Sequence, residues 1–134
     1  MRCFFIFNIL LFFFFGLAAQ KNKKNDDDYI FQKVETESGT DMKAWTAYLK
    51  KAVKLPDSVA AAIPAGVYKV MVQFVIDKYG NLGEAKAKNN PGYGLAHKAE
   101  KIILNYEGSW RPANQCGREV KSYKEQVVEF VIGN

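Results

Sequence analysis

The residues of this sequence whose types suit chemistry are Asp77 and Glu84, Cys116, and the chain's only histidine, His97. Asp77 and Glu84 stand on either side of a turn and would form an acid/base pair if the turn brought them together. Both flank a hairpin, however, whose solvent face holds charges in any case. Cys116 with His97 would supply a nucleophile and its base. No third group orients the histidine, and no Cys or carboxylate sits beside it at metal-ligand spacing, so a surface histidine accounts for it better. Asp26-Asp27-Asp28 has the charge to attract Ca²⁺ but lacks the glycine turn and distal Glu of a calcium loop. No Gly-x-Ser-x-Gly elbow, phosphate loop, dinucleotide fingerprint or His-Glu-x-x-His helix occurs. The expectation is a protein that is not an enzyme, with no cofactor and no metal.

The element that would position these residues is the stretch Val67 to Ile76. Val70, Val72, Phe74 and Ile76 alternate with Lys69 and Gln73, and the β-branched and aromatic residues at period two predict a strand. Asp77-Lys78-Tyr79-Gly80-Asn81 is a turn cluster, and Leu82 to Lys88 folds back as the second strand of a hairpin. Before it, Met42, Trp45, Tyr48, Leu49, Ala52 and Val53 recur at helical spacing behind Thr40 or Asp41 as N-cap, and Pro56 ends the helix. Asp57 to Ile63 adds one further helical turn. Leu95, Ala99, Ile102, Ile103 and Tyr106 share a face of a second amphipathic helix, Leu95 to Tyr106, which covers the hairpin. Asn114 to Gly117 reads as a turn. Glu119 to Ile132 reads as one long closing strand with Val120, Val128, Phe130 and Ile132 on one face and Tyr123, Glu125, Val127, Glu129 and Val131 on the other. Last in order and polar on one face, it is a candidate sheet edge.

The 134 residues divide into three parts. Residues 1-19 read as a signal peptide: Cys3 to Ala19 is apolar apart from Asn8, and Gly16-Leu17-Ala18-Ala19 supplies a cleavage site. An uncleaved inner-membrane anchor is the alternative, though the apolar run is short for a spanning helix. Residues 20-40 are a polar leader in which Tyr29 to Glu35 forms a short strand, and 41-134 are the domain. Cleavage after Ala19 removes Cys3, so no intramolecular disulfide is expected in the mature chain. The formal net charge of +5 is mild and the lysines are spread out. That argues against nucleic acid as a partner.

Several landmarks, taken in order, resemble the C-terminal domain of TonB proteins in the version common among Bacteroidetes-type periplasmic proteins. They are Phe31 with Val34-Glu35, Tyr48-Leu49, Leu55-Pro56, Gly66 through Ile76, Asp77 through Asn81, Gly94-Leu95 with Ala99, Trp110-Arg111-Pro112-Ala113, Gly117, and Val128 with Phe130. Three features depart from that family. The N-terminal segment carries no histidine, there is no proline-rich spacer, and Thr36 to Asp41 replaces the Pro-x-Phe-Pro-Gly-Gly segment usual before the first helix.

The resemblance implies an α+β fold in which a three-stranded antiparallel sheet, hairpin plus long C-terminal strand, is packed by two amphipathic helices. It also implies a periplasmic, non-catalytic module that takes part in energy-coupled transport. The partner would be the TonB box of a TonB-dependent outer-membrane receptor, or another envelope protein, added as a β-strand to the last strand. Tyr123, Gln126, Val127, Val128, Glu129, Phe130 and Val131 are the expected partner-binding residues, with Gln126 to Val131 as the docking edge. The alternative is a structural or assembly protein of the envelope whose terminal strand pairs with a second copy to give a homodimer.

Overall fold

The computed structural model describes residues 29–133. The expected signal peptide, the triple aspartate and the leader up to residue 28 lie outside the described residues. The element order is α1 (Met42–Ala52), α2 (Asp57–Ala60), β1 (Gly66–Ile76), β2 (Leu82–Ala87), α3 (Leu95–Leu104), β3 (Ala113–Gln115), β4 (Arg118–Val120) and β5 (Ser122–Ile132). It is a small α+β fold. A three-stranded antiparallel sheet runs in the order β2-β1-β5, and β3 and β4 form a separate two-stranded ribbon.

Alternation along β1 explains its central place. Val70, Val72, Phe74 and Ile76 are buried against the helices, while Lys69 points to solvent. Val128, Phe130 and Ile132 of β5 join them on that face. Trp45 from α1, Leu95, Ala99 and Ile103 from α3, and Trp110 close the second layer. Asp41 caps α1, its Oδ1 accepting from the N–H groups of Lys43 at 2.9 Å and Ala44 at 3.1 Å, and Lys50 and Lys51 complement the dipole in the last turn. The apolar stripe of α1 begins at Trp45. Met42, expected in the core, is 63% exposed, because the first turn lies outside the contact with the sheet.

Two strand expectations need correction. Glu119 to Ile132 is not one strand: Arg118–Val120 pair with Ala113–Gln115, and the chain breaks at Lys121 before β5 starts. The Cys116-Gly117 turn, both residues at positive φ, turns back on the three residues before it, so Val120 belongs to the ribbon. Tyr29 to Glu35 is also no regular strand. Phe31 makes one parallel bridge to Ser122, and Thr36 and Gly39 bridge to Asn114 and Arg111, so residues 31 to 39 form a strap across the ribbon and the start of β5.

The β1–β2 ladder contains a bulge. Val75 pairs with Gly83 and Gln73 with Lys86, so one more residue is spent on β2 than on β1, and Glu84 takes φ +50. A side chain is strained there. Glu84→Gly is expected to raise stability by about 0.5–1 kcal/mol, read as a higher denaturation midpoint at unchanged slope.

Candidate edge-docking site

β5 lies along the full length of β1, from Gly66 opposite Ile132 to Ile76 opposite Ser122. Backbone parity decides which of its groups point away from β1. The Tyr123 N–H donates to the Phe31 carbonyl at 3.0 Å, and the Lys121 carbonyl accepts from the Phe31 N–H at 2.9 Å, so odd-numbered residues face outward. In an antiparallel strand this sense alternates residue by residue. The N–H and C=O groups of Glu125, Val127, Glu129 and Val131 therefore line an outer edge about 20 Å long. Among the described residues, no strand pairs with that edge beyond Tyr123.

The seven expected contact residues divide on this geometry. Tyr123, Val127, Glu129 and Val131 direct their backbone groups outward, the Tyr123 N–H being already taken by Phe31, and their side chains stand on the open face of the sheet. Val127 is 39% and Val131 65% exposed there, beside Val67 at 57%. Gln126, Val128 and Phe130 turn their backbone groups to β1. Val128 and Phe130 are wholly core residues, 1% and 0% exposed, so their side chains offer nothing to a partner. Glu125, which was not among the seven, belongs to the outward set. Period-two alternation carried that signal, since Glu125 shares the parity of Val127 and Glu129.

Grooves flank both ends of the edge. The strap, through Val34, Glu37 and Ser38, faces Ser122, Tyr123 and Lys124 across a groove of about 560 Å³. Lys124 Nζ lies 3.5 Å from a Glu37 carboxylate oxygen, and the Ser122 hydroxyl is buried with no hydrogen-bond partner. At the far end Lys50, Val53, Lys54 and Leu55 face Glu129 and Val131 across about 410 Å³. On the open face Lys69 pairs with Glu129 at 3.6 Å, and Lys88 pairs with Glu125. Both pairs are solvent-exposed and contribute little stability.

The opposite side of the sheet is closed in a different way. Asn89, just past β2, accepts from the Met71 N–H at 2.8 Å and donates to the Lys69 carbonyl at 2.8 Å, which satisfies β1 where β2 has ended. Glu100 of α3 accepts from the Ala87 N–H at 2.8 Å.

The residues with catalytic chemistry do not form a site with one another. Asp77 Oδ1 accepts from the N–H groups of Tyr79 and Asn81, both at 2.8 Å, and so organises the hairpin loop. Burial works to raise its carboxyl, but these donors, the Asn81 side chain and the charge of Lys121 outweigh it and hold it below the usual aspartate range. A carboxyl with a lower pKa folded than unfolded stabilises the fold while ionised. Its contribution is complete above the unfolded value and is lost as pH falls through the folded one. The amide signals of Tyr79 and Asn81 are expected to titrate with a midpoint below that of an ordinary aspartate, and Asp77→Asn is expected to abolish that titration.

His97 is exposed, its Nδ1 3.8 Å from a Glu100 oxygen. Cys116 sits in the turn of the ribbon, where its N–H donates to a Glu35 carboxylate oxygen at 3.1 Å. The described residues include no group of three metal-ligating side chains. Among them, no helix is long and apolar enough to cross a membrane.

The fold and the edge together define a small α+β domain whose last strand has an open side. Compared with known proteins, the chain matches no family model and no curated protein.

Proposed function

We propose that this protein is a non-catalytic, TonB-like binding module of the periplasm. It takes an extended segment of a TonB-dependent outer-membrane receptor, or of another envelope protein, as an added strand on β5, in energy-coupled transport across the outer membrane. The observation that carries the reading is the outward row of backbone groups from Glu125 to Val131, unpaired with any strand among the described residues. Main-chain hydrogen bonds along that row would supply affinity, and side chains at alternate positions would supply selectivity. Two further features support it. The hairpin followed by a long C-terminal strand is the arrangement that the TonB resemblance implies, and Phe31 already sits at the start of this edge through a single parallel bridge to Ser122.

The test is an NMR titration of the ¹⁵N-labelled protein, as the cell processes it, with TonB-box peptides from the plug domains of receptors in the same genome. Saturable shifts concentrated at Glu125, Val127, Glu129 and Val131 are expected. No shifts there with any peptide at millimolar concentration would overturn the reading. Concentration-dependent shifts of the same amides without peptide would instead identify self-pairing of β5.

A further inference from the structure

The docking edge is not bare in the free protein. The side chain of Gln126 lies across it: its Nε2 donates to the outward carbonyl of Val127 at 2.9 Å, and its Oε1 accepts from the indole Nε1–H of Trp45 at 2.9 Å. Val127 stands midway along the outer row, and its carbonyl is one that an added strand would have to engage. The carboxamide therefore sits where a neighbouring strand's N–H would be. Asn89 does the same for β1 at the opposite side of the sheet, also with a side-chain amide in place of a strand.

The two amides differ in what lies behind them. Asn89 is anchored only to the strand it seals, whereas Gln126 is tied to the buried Trp45, which is 2% exposed at the centre of the aromatic cluster. We infer that Gln126 is a latch on the β5 edge. It occupies the Val127 carbonyl in the free protein, it is displaced by the backbone N–H of an incoming extended peptide, and Trp45 registers the exchange. This rests on the docking reading above and adds to it a residue that sets affinity and a link from the edge to α1.

In the wild type an incoming strand must first break the Gln126–Val127 bond, so the latch weakens binding by the net worth of one neutral hydrogen bond, about fivefold in the dissociation constant. Gln126→Glu separates its two halves. A carboxylate still accepts from the Trp45 indole but has no hydrogen to give the Val127 carbonyl. Trp45→Phe removes the indole donor, keeps an aromatic ring in the core, and identifies the Trp45 indole signal by its disappearance.

The experiment is the same TonB-box titration, followed at the backbone amides and at the two indole N–H signals, on the wild type and Gln126→Glu. The expected result is that the Trp45 indole shifts with the same midpoint as the Glu125, Val127 and Glu129 amides, and that Gln126→Glu binds about fivefold tighter. Amides that shift while the Trp45 indole stays still and Gln126→Glu binds as wild type would overturn the latch and leave edge docking standing. If none of these signals moves in either protein, both are overturned.

Discussion

Trp45→Ala is expected to cost the domain a large share of its stability. The indole of Trp45 is in ring contact with Tyr106 at 4.6 Å, Trp110 at 5.3 Å, Tyr48 at 6.1 Å and Phe74 at 6.4 Å. It is the residue through which α1 reaches the sheet, and no other α1 side chain is fully buried. Truncating a buried tryptophan typically costs about 3–5 kcal/mol, while a domain of this size has about 5–15 kcal/mol in all. The melting temperature should fall by roughly 15–25 °C, or the variant should fail to fold at 37 °C. Thermal unfolding followed by far-ultraviolet circular dichroism measures this. A fall of under 5 °C would mean that α1 is not held to the sheet as described.

A contrast between the two tryptophans sharpens the point. Trp45 Nε1 is satisfied by Gln126, whereas Trp110 Nε1 is buried without a partner. Trp45→Phe therefore breaks a hydrogen bond as well as shrinking the ring, while Trp110→Phe shrinks the ring but removes an unsatisfied donor. The first substitution should be the more costly.

The second large effect is expected at Gly80, in the hairpin loop. Its φ is +83, and a Cβ built there would stand 2.2 Å from the Trp110 carbonyl oxygen. That oxygen is backbone, so it cannot swing aside as a side chain would. Gly80→Ala should therefore cost on the order of 2–4 kcal/mol, adding a backbone displacement to the strain of a left-handed conformation. Gly92 separates the two contributions, since its φ is +94 but nothing lies within 4 Å of its would-be Cβ. Gly92→Ala should cost about 1 kcal/mol. Chemical denaturation of both variants measures the difference. Equal losses would show that the Trp110 carbonyl does not close on the loop, and with it the join between the hairpin and the segment before β3.

Where a single element carries its own period, the fold was legible in the sequence. β1, β2, α1 and α3 announce themselves by alternation or by three-and-four spacing, and Asp41, Pro56 and the Asp77-to-Asn81 turn mark their ends. The ribbon was not legible. Arg118 to Val120 alternates in phase with β5, so only the turn-back at Cys116-Gly117, a tertiary choice, assigns it to a different sheet. The strap hid for a related reason, because its backbone pairs with the ribbon and β5 through single bridges and leaves no periodic trace.

At the edge, alternation separated the outward from the inward residues of β5. Val128 and Phe130 entered the expected contacts because the resemblance implies docking along the whole strand, and their burial assigns both side chains to the core. The Gln126 latch had no sequence signal at all. Trp45 and Gln126 are 81 residues apart and meet only when α1 packs on the sheet.

Docking on the outer edge of β5 is tested most directly by a proline placed in it. Glu129 directs its N–H outward, away from β1, so Glu129→Pro keeps the β1–β5 ladder and forfeits only a weak exposed ion pair with Lys69. The ring would stand where an added strand must lie. Titrated calorimetrically with the TonB-box peptide that the wild type binds best, Glu129→Pro should melt within a few degrees of wild type and bind at least about tenfold more weakly. Wild-type affinity in a folded Glu129→Pro protein would contradict strand addition at this edge.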